Sequence, residues 1–116
     1  MYSYQGCGSC RKATKWFDSK KVVVSEVPIR ETPPTKDELS FMIDQYSGEL
    51  RKVFNVSGQD YRSLGLKDKM SEMTKAEAIE LLSSNGNLIK RPFVLWGNRG
   101  SVGFKEDVWE ELLASG

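Results

Sequence analysis

Cys7 and Cys10 are the only cysteines of this 116-residue chain, and they stand in the pattern C-x-x-C, Cys7-Gly8-Ser9-Cys10. The basic run Arg11-Lys12-Ala13-Thr14-Lys15 follows at once. Two thiols this close can close an intramolecular disulfide, and a cation-rich helix start can hold one of them as thiolate. Cys7 is expected just before a helix, facing its free N–H groups and the positive end of its dipole. Settings of this kind lower a thiol pKa from ~8.5 to ~3.5–7.5. Cys7 is therefore the candidate nucleophile. Cys10, one turn into the helix and less exposed, is the candidate resolving thiol that attacks a mixed disulfide and releases product. The chain has no histidine, which excludes a Cys-His pair and a His-ligated metal. Activation has to come from the dipole, backbone amides, Arg or Lys, with Arg11 and Lys12 closest in sequence.

Two other readings of the pair stay open. C-x-x-C can be half of a zinc site, but one chain lacks the other two ligands, so each subunit of a homodimer would have to donate both thiols to one metal. The thiols can also be inert and buried, which suits Cys10 better than Cys7.

A second group of candidates binds anions. Arg91-Pro92 stands immediately before a strand, where the missing N–H of proline loses no ladder bond. If the bond is cis, Pro92 presents backbone to a bound sulfur compound and Arg91 can bind an anion; a trans strand entry with a solvated Arg is the alternative. Arg51 and Arg62, on a helical segment, are further anion candidates or simply solvated.

These residues need elements to position them. Met1 to Gln5 alternates apolar and polar residues and predicts a short strand. Gly6 and Gly8 allow a tight turn around Cys7. A helix is predicted from Ser9 or Cys10 to Ser19 or Lys20, with Ala13, Trp16 and Phe17 as its buried stripe. Val22-Val23-Val24 and Val27-Pro28-Ile29 predict the next strand, central in the sheet. The result is a βαβ unit with a parallel pair. Thr35-Lys36-Asp37-Glu38 and Thr74-Lys75-Ala76-Glu77 are capping boxes. The first opens a helix through Leu39, Met42, Ile43 and Tyr46, ended by Gly48; the second opens one through Ala78, Ile79, Leu81 and Leu82, ended at Asn85-Gly86. Leu50, Val53 and Phe54, and then Tyr61 to Leu66, suggest short helices around the loop Asn55-Val56-Ser57-Gly58. Phe93 to Trp96 and Ser101 to Phe104 predict a hairpin turning at Gly97-Asn98-Arg99-Gly100. A last helix runs from Lys105 or Glu106 to Ala114, with Val108, Trp109, Leu112 and Leu113 inward and Glu110-Glu111 on a solvated face. Trp16, Trp96 and Trp109 each fit an apolar stripe and are assigned to the core. The order βαβ, helical insert at about 35–86, ββα is an α/β, thioredoxin-like layout: one domain over 1–116, a four-stranded mixed sheet flanked by helices.

Composition bounds the function. Seventeen basic residues against sixteen acidic ones leave a net charge of +1, which gives no global drive toward nucleic acid or acidic membranes. No apolar run spans a bilayer and the N-terminus lacks a signal-peptide pattern, so a cytoplasmic protein, monomeric and without bound cofactor, is expected.

With these motifs placed, the chain resembles the arsenate reductase-like family, the branch of thioredoxin-like proteins that includes the Spx-type transcription regulators. The resemblance rests on Cys7 to Ala13, Pro33 to Leu39, Phe54 to Arg62, Leu88 to Pro92 and Val102 to Glu106, and runs nearly end to end. It implies a cis Pro92 and a nucleophilic Cys7. Glutathione-dependent arsenate reductases of this fold use one Cys and three Arg to hold the oxyanion. Cys7 and Arg91 match two of those positions; the second Arg falls on Asn55 and the third near Phe104 or Lys105. Each missing guanidinium fork removes a charge-assisted contact worth roughly 1.5–3 kcal/mol, which argues against efficient arsenate reduction. Cys10 restores a second thiol that those reductases usually lack. The expected activity is thiol–disulfide oxidoreduction on a small thiol, disulfide or oxyanion, with glutathione or thioredoxin as electron donor. The alternative is a redox-sensing regulator acting through the RNA polymerase α-subunit, where Gly48 matches an interface glycine.

Overall fold

The computed structural model describes residues 1–4, 7–96 and 99–115. The readings placed on Gln5, Gly6, Gly97 and Asn98, and on the side chains of Leu112 and Leu113, lie outside the described residues. Four strands form one mixed sheet in the order β2-β1-β3-β4: β1 Tyr2–Ser3, β2 Val27–Pro28, β3 Phe93–Trp96 and β4 Arg99–Val102. β1 pairs parallel with β2 (Tyr2 with Val27) and antiparallel with β3 (Tyr2 with Phe93), and β3 pairs antiparallel with β4 (Phe93 with Val102 through Trp96 with Arg99). The expected βαβ unit and closing hairpin are both present.

Helix α1, Gly8–Ser19, makes the crossover between β1 and β2 and buries Cys10, Ala13, Trp16 and Phe17. Their i, i+3, i+6, i+7 spacing puts them on one face. The insert contributes α2 Lys36–Gln45, α3 Gln59–Ser63, α4 Leu66–Lys69 and α5 Lys75–Ser84. Both capping boxes close as the sequence reads them, with Thr35 accepting from the Glu38 amide and Thr74 from the Glu77 amide. Gly48, at φ +81°, ends the turn after α2, where a Cβ would be strained. A 3-10 turn at Gly86–Leu88 leads into β3, and α6, Glu106–Ser115, closes the chain. No helix among the described residues is long and apolar enough to cross a membrane.

Two cores sit on the sheet. One is mainly aliphatic and lies under the insert, built around Ile29, Leu39, Met42, Ile43, Leu82 and Leu88. The other is aromatic and lies under α1 and α6: Ala13, Trp16, Phe17, Val94 and Trp109, with Trp96 and Phe104 packed against it.

Four expectations are corrected. The valine run 22–24 is not a strand, and β2 is an edge strand of two residues. Val22 and Val24 do pack on the aromatic core, but Val23 is 98% exposed, so the alternation survives with no ladder partner to make it sheet. Pro28, which has no N–H to give, suits that edge. In the hairpin, Arg99 and Gly100 belong to β4 rather than to the turn, because the register runs out to Trp96 with Arg99. Val108 is 42% exposed beside fully buried Trp109; adjacent helical residues point about 100° apart, and the larger ring takes the core. Glu110 is no solvated bystander, since it accepts from Trp16 Nε1 at 3.3 Å and pairs with Lys20 at 2.7 Å.

Candidate active site

Cys7 is the N-cap of α1, with extended backbone (φ −90°, ψ 117°). Its Sγ accepts the Cys10 N–H at 3.3 Å, the role an Asp or Ser oxygen fills at other helix starts. Its own N–H donates to the Tyr4 carbonyl at 3.0 Å, and its carbonyl accepts the Arg11 N–H at 3.2 Å. The nucleophile candidate is therefore fixed at both peptide bonds and lies half-buried at the positive end of the helix. Cys10 is only 3% exposed, and both cysteines are free thiols. Burial pushes the Cys10 thiol up to about 12; its hydrogen bond with Cys7 adds to the rise, while a backbone hydrogen bond from Tyr4 and the charge of Arg91 pull the other way.

The bond between Arg91 and Pro92 is cis. Pro92 is buried, and its carbonyl accepts the Gly103 N–H at 2.9 Å, which ties the entry of β3 to the end of β4. The Arg91 guanidinium lies over the Tyr4 ring, 5.0 Å from its centroid. Its Nη1 is buried and has no hydrogen-bond partner among the described residues. A groove of about 390 Å³ opens beside Cys10, lined by Ser3, Tyr4, Arg11, Thr14, Lys15 and Glu26. Arg11 is exposed and belongs to that groove, and Lys12 is exposed as well.

The other candidates are placed elsewhere. Asn55 follows the isolated bridge between Phe54 and Ile89. Its N–H donates to the Leu88 carbonyl at 2.7 Å and its Nδ2 to the Asn87 carbonyl at 3.4 Å, so its amide is spent on the 86–88 turn. Arg51 and Arg62 are exposed on the insert. Phe104 packs its ring edge-on against Trp109 at 5.0 Å, and Lys105 is exposed.

Sequence reasoning passed over Tyr4 and Arg30. Tyr4 holds Cys7 through its backbone, shares the groove with Cys10 and meets Arg91 through its ring. The Arg30 guanidinium lies over the same ring at 4.0 Å. A signal was available for Arg30. Parallel strands end on the same side of a sheet, so the residue after Ile29 emerges beside the turn that follows β1.

The family model described as the ArsC family matches residues 2–112. The chain belongs to the ArsC family. Among ArsC-family relatives, the uncharacterized protein YusI of Bacillus subtilis is 46% identical over 114 residues, 98% of this chain and 97% of that protein. The global transcriptional regulator Spx of Streptococcus mutans is 30% identical over 107 residues, 92% of this chain and 77% of the regulator. A crystal structure described as a possible arsenate reductase from Streptococcus mutans UA159 superposes with a TM-score of 0.85 at 36% identity, covering 92% of this chain and 93% of the other. The thioredoxin-like sheet and its flanking helices are thus those of the ArsC family, in which the names span an enzyme and regulators.

Proposed function

We propose that this ArsC-family protein is a thiol–disulfide oxidoreductase in which Cys7 attacks and Cys10 resolves. The observation that supports it most is the asymmetry of the pair: Cys7 Sγ at a helix N-terminus accepting the Cys10 amide, and Cys10 buried with its thiol pushed up to about 12. The Cys7 thiolate attacks one sulfur of a small disulfide. A bond forms between Cys7 Sγ and that sulfur, the substrate S–S bond breaks, and the second sulfur leaves as thiolate. Cys10 then loses its proton to water and attacks Cys7 Sγ, expelling the first substrate sulfur as thiolate. The protein is left with a Cys7–Cys10 disulfide. Two equivalents of a glutathione-type thiol, or one dithiol of thioredoxin type, return the two electrons and reopen it.

The causes acting on Cys10 give this sequence its order. Two of the effects that hold its proton, the hydrogen bond with Cys7 and the repulsion from Cys7 charge, come from the reduced Cys7 sulfur. Once Cys7 is capped by substrate both vanish, while burial, the largest effect, still holds the proton and the charge of Arg91 still favours the thiolate. Capping Cys7 therefore eases the loss of the Cys10 proton at the stage where the mixed disulfide has to be resolved. Arsenate is the less favoured substrate, because Asn55 stands where the family resemblance calls for a second Arg and its amide is bonded to the Asn87 carbonyl.

A second reading is favoured by the similarity to proteins named as regulators: the same disulfide would switch binding to the RNA polymerase α-subunit, with no turnover. Pulse alkylation with iodoacetamide under reducing conditions, read by mass spectrometry, tests the pair. At pH 7.5 the native protein should be modified at Cys7 and spared at Cys10. Cys10→Ser should accumulate a mixed disulfide on Cys7 when given 2-hydroxyethyl disulfide, and Cys7→Ser should not react. Equal modification of both thiols would remove the assignment. A trapped mixed disulfide without catalytic turnover in the wild type would favour the regulator.

A further inference from the structure

We propose that Arg30 is a second guanidinium of this site, and that with Arg91 it binds an anionic oxygen group of the ligand across the Tyr4 ring. The ligand chemistry is an oxyanion: a carboxylate carried by a small thiol or disulfide, or a free inorganic oxyanion. The proposal rests on the reading of Cys7 and Cys10 as the reacting pair.

Tyr4 is the hub of the site. Its carbonyl holds the Cys7 amide at 3.0 Å, and it lines the groove beside Cys10. Its ring carries two guanidiniums, Arg30 at 4.0 Å and Arg91 at 5.0 Å from the centroid. A ring face attracts one cation by about 0.5–1 kcal/mol at exposed sites, and a second cation beside the first is repelled by it. No ion pair within 4.0 Å engages either guanidinium among the described residues. One of the Arg91 amino groups is buried with no partner among the described residues, a state that carries a desolvation cost unless a ligand or water meets the group's charge.

Arg30 is held for such a role. Its Nε donates to Asn87 Oδ1, which leaves its two Nη groups as the remaining donors. Asn87 is itself fixed, donating from Nδ2 to Asp60 Oδ2 at 3.2 Å and from its amide to Asn85 Oδ1 at 3.0 Å; Asn85 bonds the same Asp60 oxygen at 3.0 Å. The nearby Asp60 carboxylate is hydrogen-bonded by these two amides and makes no ion pair with Arg30 within 4.0 Å among the described residues, although the Arg30 charge helps to lower its pKa. Gly86 brings this turn against the arginine, since a Cβ there would lie 2.1 Å from the Ile29 carbonyl oxygen and 3.3 Å from the Arg30 Cα. A guanidinium fixed at Nε, at the same ring as a second one and on the residue that holds Cys7, suits forked recognition of an oxyanion.

The test titrates the reduced wild-type protein, Arg30→Gln and Arg30→Lys with methylthioacetate, an unreactive thioether carboxylate, and separately with arsenate. The readout is the Arg Nε–Hε resonances in ¹⁵N correlation spectra. The expected result is saturable shifts of both Arg30 and Arg91 in the wild type. Affinity should fall roughly tenfold or more in Arg30→Gln, the size of one charge-assisted contact, and recover in part in Arg30→Lys. Shifts with methylthioacetate assign the anion to a carboxylated thiol, and shifts with arsenate alone assign it to a free oxyanion. In parallel, the ratio of kcat/KM for dithiodiglycolate over 2-hydroxyethyl disulfide should drop about tenfold in Arg30→Gln. Resonances unmoved by both anions, or affinity unchanged in Arg30→Gln, would overturn the proposal. Absence of turnover with either disulfide would instead sink the oxidoreductase reading, while the titration still decides the role of Arg30.

Discussion

The two halves of the site stand on different supports. The thiol half rides on α1, whose buried face locks into rings: Trp16 lies 5.5 Å and Phe17 5.1 Å from Trp109, and Phe104 closes the cluster at 5.0 Å. The guanidinium half stands on chain ends, the residue after Ile29 and the cis Arg91–Pro92 entry to β3. There the anchor is polar, a turn in which Asn85 and Asn87 share Asp60 and Asn87 holds Arg30. The contrast follows from what each group has to do. A thiol gains its reactivity from the helix it caps, so the whole helix must be held as a rigid body, and apolar packing does that without direction. A guanidinium on a long stem loses up to ~2 kcal/mol of rotamer entropy on being fixed, and only a directed hydrogen bond sets its fork.

The largest expected effect breaks the thiol half. Trp109 is fully buried, and its Nε1 donates to buried Ser101 Oγ at 3.0 Å. Trp109→Ala removes the ring that four others touch and strands that hydroxyl, so it should cost about 3–5 kcal/mol in urea unfolding. Trp109→Phe should keep most of the packing and lose mainly the hydrogen bond. A loss below about 1 kcal/mol for the alanine variant would mean that α1 is held by something other than the rings.

The guanidinium half breaks at Gly86. A Cβ at 2.1 Å from the Ile29 carbonyl oxygen meets backbone on a buried face, which has no flexible end to give way. Gly86→Ala should therefore cost about 1–3 kcal/mol, as overpacking does. It should also weaken methylthioacetate binding while the alkylation rate of Cys7 stays close to wild type. Wild-type stability together with wild-type anion affinity would show that the turn does not set Arg30.

How much of this the sequence discloses differs between the halves in the same way. The C-x-x-C pair, the stripe Ala13, Trp16 and Phe17, and both capping boxes are local patterns, and local patterns read directly from spacing. The cis Arg91–Pro92 entry is named by the family resemblance and open on residues alone. The partnership of Tyr4 with Arg30 is not local. It depends on where β2 ends relative to β1, and the valine run 22–24 extends the expected strand upstream of its true start at Val27. Glu110 is read as solvated for a related reason: its partners, Trp16 within α1 and Lys20 at its C-terminal end, lie far away in the chain.

The smallest expected effect sharpens the thiol half, and it concerns alkaline pH. In the reduced folded chain burial holds the Cys10 proton up to about 12, whereas an unfolded Cys releases it near ~8.5. Between those values the folded state carries a proton the unfolded state has lost, so stability is fully present below about pH 8.5 and falls as pH rises toward 12, by about 1.4 kcal/mol per unit for one proton. Tyr2 acts in the same direction over a higher window. Burial first, then its 2.7 Å hydrogen bond to Glu38 Oε1, raise its phenol from 10.0 to about 12. Urea unfolding of wild type, Cys10→Ala and Tyr2→Phe at pH 8, 9 and 10 with a thiol-free reductant separates the two. Cys10→Ala should flatten the fall already between pH 9 and 10, where Tyr2→Phe still follows the wild type. A wild-type slope that Cys10→Ala leaves unchanged would mean that the second thiol is not held protonated by the fold, and the order of attack and resolution would lose its basis.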